Sequence, residues 1–274
     1  MFDIFSSPDA WFALLTLTFL EIVLGIDNII FISIAADKLE KKDRKKATNI
    51  GLVLAMVLRV VLLFGISWLT SLKKPFWVLK HEWIHGGISW QALILFAGGL
   101  FLLYKSTKEI HEKIEDKGHD EREVKKGRSS TLSNAIVQIT IINIVFSFDS
   151  ILTAIGMTNG LSPNPNDALI LMIIAVIASV LIMMLFANPV GEFVSRHPSI
   201  QVLGLSFLIL IGFMLIAEAA HLSHLVVFDQ EVGVIPKGYL YFAIAFSLMV
   251  EFFDMRMKKN KKTNAVEEQQ HLED

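Results

Sequence analysis

"FLEIVLGIDNIIFI", residues 19–32, decides how the rest of this chain is read. It looks like sequence soluble in lipid, yet it carries two carboxylates and an amide, Glu21, Asp27 and Asn28. A carboxylate at the centre of a membrane helix costs about 2.5–3.5 kcal/mol, so it faces protein or water and has a partner. Apolar sequence extends around the stretch from 10 to 36, and six further apolar blocks follow at 47–71, 89–105, 131–157, 167–187, 200–222 and 237–256. A helix needs about 20 residues to cross a bilayer. Backbone groups in hydrocarbon must also pair within their own segment, so each block predicts a helix. The pattern predicts an all-α membrane protein with seven transmembrane helices.

Composition supports this. The 274 residues are 53% hydrophobic and 19% charged, against about 45–50% apolar and about 25% charged in a soluble domain. A net charge of −2 gives no electrostatic reason to expect a nucleic-acid partner. The absence of cysteine excludes disulfides, iron–sulfur clusters and thiolate metal sites. No Ser–His–Asp set, Gly-rich phosphate loop or HExxH motif is present, so no enzyme activity or resident cofactor is expected. Residues 1–9 lack a positive n-region, and no cleavable signal peptide is predicted.

Loop charges orient the spans. Residues 37–46 carry six Lys or Arg, 105–128 carry eight and the tail from Arg256 carries five. All three segments fall on one side of a seven-helix count. On the other side, 72–88 carries three, and the N-terminus, 158–166 and 223–236 carry none. The positive-inside rule then puts the N-terminus outside and the C-terminus in the cytoplasm. The expected organisation is a single transmembrane domain over 1–257, with a connector at 106–130. The tail, 258–274, is polar enough to be expected disordered, with lysines able to touch anionic lipid.

A second stretch echoes the first. Aligning "LEIVLGIDNII" (20–30) with "INIVFSFDSIL" (142–152) gives four identities in eleven positions. The polar positions coincide: Glu21 with Asn143, Gly25 with Ser147, Asp27 with Asp149 and Asn28 with Ser150. The copies lie three helices apart and must run in opposite senses. That predicts two inverted three-helix repeats, 10–105 and 131–222, plus an extra helix at 237–256, with a substrate site near the midplane between the repeats. Antiparallel pairing predicts Asp149 at nearly the depth of Glu21, and Asp27 at nearly the depth of Asn143.

The donors at that level are Glu21, Asp27, Asn28, Asn143, Ser147, Asp149 and Ser150, with Gln138 and Thr140 as further candidates. Hard oxygen donors of this kind suit Mn²⁺, Ca²⁺ or Mg²⁺. Carboxylates facing one cavity repel unless an ion or protons neutralise them, which would allow coupling to a proton gradient. Glu21, Gly25 and Asn28 share a helical face, while Asp27 is turned about 100° from Asn28. Either a break of the helix at Gly25 lets Glu21 and Asp27 share one ion, or the two acids serve successive sites; of the two, the break is the expectation. Arg59, inside "LAMVLRVVLL", needs a partner among these acids, as counter-charge, gate or structural ion pair.

Outlying polar groups have plainer readings. "PFWVLKHEWIHGGISW" (75–90) suits the membrane interface, and His81 and His85 could share a metal ion only if it were helical. Glu218, His221, His224, Asp229 and Glu231 fit a solvated outer rim or a cation vestibule, and Glu251 and Asp254 have Arg256 and Lys258 near to neutralise them.

"EIVLGIDNIIFI", "FSFDSILTA" and "GGLFLLYKSTKEIH" (98–111) together resemble the TerC family of bacterial integral membrane proteins, along 10–256. The family is named for tellurium resistance, has members implicated in manganese efflux and is placed with the LysE-like exporters. The resemblance implies a multi-pass inner-membrane protein with metal ligands at Glu21, Asp27, Asn28 and Asp149. Asn143 replaces an acid in the second copy, so the site would be asymmetric. The expected function is divalent-cation export, with Mn²⁺ as cargo, membrane lipids as surroundings and no homo-oligomer predicted. The alternative is a non-transporting scaffold in tellurite or envelope stress, working through the cytoplasmic connector.

Overall fold

Helix α1 (Pro8–Asp37) is a single rod of 30 residues that runs straight through Gly25. The computed structural model describes residues 5, 7–37, 39–65, 71–81, 84–115, 132–158 and 165–273. Within these, the side chains of 24, 26–28, 41, 84, 132, 149, 152, 165 and 258–273 lie outside the description. Asp27, Asn28 and Asp149 are thus placed by their helices alone.

The other long helices are α2 (Lys41–Phe64), α3 (Trp90–Glu115), α4 (Leu132–Thr158), α5 (Pro165–Arg196), α6 (Pro198–Leu222) and α7 (Lys237–Glu273). Among the described residues, five helices are long and apolar enough to cross a membrane: α2, α4, α5, α6 and the 237–257 part of α7. Their outward faces carry large apolar side chains, among them Phe64, Leu181, Leu185, Phe186, Phe213, Phe242 and Phe246. In water such a surface would be unstable as a monomer; around a bundle of this kind it is the face that lipid covers.

Helix α1 packs chiefly on α5, α2 on α4 and α5, and α3 on α6, while α7 lies outside against α6. One continuous core joins these contacts, with Ile32, Leu63, Leu95, Leu102, Ile142, Leu171 and Leu205 fully buried. Close approach relies on small residues, as expected where lipid removes the hydrophobic drive between helices. A Cβ added to Gly99 of α3 would lie 2.6 Å from the Gly212 carbonyl of α6. Gly25 serves the same purpose: its Cβ would lie 2.1 Å from Met183 Sδ of α5. The expected break at Gly25 is therefore corrected. The glycine makes room for a neighbour and leaves the helix intact.

Four short strands correct the all-helical expectation. β1 (Pro75–His81) and β2 (Ile84–Ser89) form a hairpin, extended by β3 (Val226–Val227) and β4 (Gln230–Glu231) in the order β1-β2-β3-β4. The sheet closes the end of the bundle where α6 ends and α3 and α7 begin. Lys80 pairs with His85 and His81 with Ile84, so the two histidines lack the helical spacing a shared metal would need. The Phe, Trp, Val and Ile residues of these segments favour this extended form.

Three helices run well past the C-terminal ends of their sequence blocks. Helix α5 continues past 187 through Pro189 to Arg196; prolines are tolerated inside membrane helices. Helix α7 continues to Glu273, so the tail read as disordered is helical. It contains no Gly or Pro beyond 238, and extending an existing helix needs no new nucleus. Of the connector, residues up to Glu115 belong to α3, and 116–131 lie outside the described residues.

Candidate functional site

Arg59 sits five residues before the end of α2 and is 2% exposed. Its Nη1 donates to Oε2 of Glu21, itself 4% exposed on α1. Its Nε donates to Ser147 Oγ of α4 at 3.4 Å. One guanidinium thus ties together three helices, including the two that carry the repeated motif. Around Glu21, the wall is made of Leu17, Leu63, Ile151, Ala154, Met172, Ala175 and Val176, enclosing about 10 Å³. That is at the lower limit for one water, so the guanidinium is the principal compensation for the buried carboxylate.

Glu21 shares this wall with Ile151 and reaches Ser147 through Arg59. Ser147 and Ile151 stand two residues either side of Asp149 on α4. These contacts join the Asp149 segment of α4 to Glu21, and the Asp149 carboxylate itself lies outside the description.

Asn143, which the alignment sets against Glu21, is 2% exposed and donates from Nδ2 to Ile139 O at 2.9 Å. Its Oδ1 is buried without a hydrogen-bond donor among the described residues. Ser147 donates to Asn143 O at 2.5 Å, and Ser150 to Ser147 O at 3.3 Å. Thr140 is half-buried and donates to Ile136 O at 2.7 Å, one turn away from this group, and Gln138 is half-buried on the same helix.

Ser150 opens onto a second cavity of about 40 Å³, shared with Arg59, Phe146, Glu218, Lys237 and Tyr241. Lys237, the first residue of α7, donates to Thr153 Oγ1 at 3.2 Å. Neither Lys237 nor Thr153 stands out in sequence, since a Lys at a helix start and a Thr in an apolar run are ordinary. The rim expectation for Glu218 is revised, because its cavity is also walled by the buried Arg59. His224 instead stands exposed, 3.7 Å from Glu231. Among the described residues, no three His, Asp or Glu gather into a metal-holding group.

At the opposite end of α1, a larger cavity of about 560 Å³ lies between α1, α2 and α5, lined by Ser33, Asp37, Arg44, Thr48, Asn188 and Glu192 among others. Asp37 ties its rim together. It pairs with Arg44 at 2.5 Å, accepts from Ser195 Oγ at 3.0 Å and meets Gln201 Nε2 at 3.5 Å. Gln201 in turn accepts from Lys113 of α3. Nearby on the α1–α2 turn, the hydrogen bond and charge of Lys42 hold the Glu40 carboxyl below its usual range.

Comparison with known proteins assigns this architecture. The model of the integral membrane protein TerC family matches residues 6–265. The UPF0053 inner membrane protein YgdQ of Escherichia coli is 47% identical over 262 residues, 95% of this chain and 99% of its own length. A UPF0053 protein of Haemophilus influenzae is 41% identical over 96% of this chain and all of its own length. The UPF0053 inner membrane protein YoaE of Escherichia coli is 42% identical over 92% of this chain but only 44% of its own length, so a comparable membrane unit occurs there within a longer protein. No solved structure matches the chain. A family model that spans nearly the whole sequence, and relatives that align from end to end, identify the chain as a member of the integral membrane protein TerC family.

Proposed function

We propose that the protein exports a divalent cation, Mn²⁺ in the first place, across a bacterial inner membrane by alternating access. The observation that carries this is the buried Glu21–Arg59–Ser147 bridge, because it sets one buried cation beside the acids of the two motifs. Three carboxylates, Glu21, Asp27 and Asp149, set against one guanidinium leave two negative charges in the bundle. One divalent cation neutralises them. When the ion leaves, protons on the carboxylates can take its place, which provides for antiport.

Helix packing supports the inverted repeat that alternating access uses. Exchanging α1 with α4 and α2 with α5 turns the α1·α5 contact into the α4·α2 contact, and both are extensive. Exchanging α3 with α6 maps their mutual contact onto itself. On this reading α1 and α3 complete seven spans, α7 stands outside the pair of repeats, and the N-terminus faces out. The cavity at the end of α1 is then the cytoplasmic entrance. Asn28, Asn143 and Ser150 complete an oxygen ligand set that would serve Ca²⁺ or Mg²⁺ as well. Preference for Mn²⁺ rests on the family.

Cells expressing Asp27→Asn or Asp149→Asn should lose protection against excess manganese while the protein remains at normal abundance in the membrane. Full protection by both variants would instead favour a scaffold acting through the 106–130 connector.

A further inference from the structure

The polar side chains of α4 share an orientation of their donors. Asn143 donates to Ile139 O, Ser147 to Asn143 O and Ser150 to Ser147 O. With their protons committed to their own helix, the Ser147 and Ser150 hydroxyls present acceptor lone pairs to the interior, and Asn143 adds its Oδ1. At about 100° per residue, Asn143, Ser147, Ser150 and Thr153 fall within a stripe about 120° wide.

Two of these four acceptors hold a cationic nitrogen: Ser147 Oγ takes Arg59 Nε at 3.4 Å, and Thr153 Oγ1 takes Lys237 Nζ at 3.2 Å. The other two differ. Asn143 Oδ1 is buried with no donor among the described residues, and such an acceptor carries a penalty of about 1–3 kcal/mol. Ser150 faces the 40 Å³ cavity that Arg59, Glu218 and Lys237 also line.

We propose that this face of α4 is the outward path of the ion. It forms a ladder of neutral oxygens, Asn143, Ser147, Ser150 and Thr153, on which Arg59 and Lys237 act as tethered cations on alternate rungs. This deepens the export reading and rests on it. Hydroxyls that bond back to their own helix are common, but that habit accounts for neither the orphaned Asn143 oxygen nor two cations on one stripe. Neutral rungs suit passage: they bind a hard cation well enough to admit it and weakly enough to release it.

Because the chain has no cysteine, Ser150→Cys in the full-length protein carries a single thiol. In proteoliposomes it should react at least about tenfold faster with a small cationic methanethiosulfonate than with an anionic one, the discrimination expected where one unit charge decides entry. Mn²⁺ should slow that reaction. Ile141→Cys, on the exposed face of α4, should show neither effect. Ser150→Ala keeps the volume and removes the acceptor, and should lower Mn²⁺ flux about tenfold. Equal reaction with both reagents, or no protection by Mn²⁺, would overturn the ladder, as would wild-type flux in Ser150→Ala. If the thiol behaves as expected but the wild-type protein moves no cation, the face stands as a cation-binding surface, and the outward path and the export reading both fail.

Discussion

Arg59 is the residue on which the bundle's electrostatics turn. Its charge is buried among α1, α2 and α4 and balanced by Glu21. Removing one member of a buried pair leaves the other uncompensated, at a cost of about 3–5 kcal/mol, whereas replacing both by apolar groups is often neutral. Arg59→Met alone should therefore lower the midpoint of thermal unfolding in detergent sharply, and the double variant Glu21→Leu, Arg59→Met should restore it. If the double variant stays as unstable as the single one, the pair is not what holds these helices in place. The double variant should still carry no Mn²⁺, since one carboxylate and the counter-charge are both lost. That separates stability from function at a single site. The need of Arg59 for an acid was legible in the sequence. Which acid it takes was not, because Glu21, Asp27 and Asp149 are all plausible from spacing; among the described residues, the packing of α2 against α1 and α4 brings it to Glu21.

At the scale of elements, glycines decide how closely helices approach. Gly99 and Gly212 meet backbone to backbone between α3 and α6, so a methyl at 99 faces a carbonyl 2.6 Å away that has nowhere to go. Gly25 faces the thioether of Met183, the end of a flexible side chain that can rotate aside. Gly99→Ala should thus destabilise the protein by about 1–3 kcal/mol, and Gly25→Ala clearly less, as read from their unfolding midpoints. Equal losses would mean that α1 and α5 are locked as tightly as α3 and α6. The sequence showed the apolar blocks because hydropathy is a local property, and it located each of the long helices. It misled at Gly25, where the residue type that breaks a helix is also the one that lets two helices touch. It was equally silent on the hairpin at 75–89, whose pairing with 226–231 joins segments far apart in the chain. Thr153 and Lys237 escaped notice for the same reason: their meeting is made by the placement of α7, not by any local pattern.

For the whole molecule, α1 packs chiefly on α5 and α4 on α2, the pairing that the proposed inverted repeat requires, and α7 supplies Lys237 to the α4 face. Between the wide cavity at the end of α1 and the small one beside Ser150 lie the centre of the bundle and the Arg59 bridge. On the proposed export reading, an ion admitted from one side would leave on the other only as the charges at the centre are exchanged. The direct test is ion flux into proteoliposomes containing the purified full-length chain, measured for Mn²⁺, Ca²⁺ and Mg²⁺ with and without a pH gradient. The account predicts Mn²⁺ transport that is abolished in Asp27→Asn and in Asp149→Asn. No flux of any of the three ions, or flux unchanged in both variants, would contradict it.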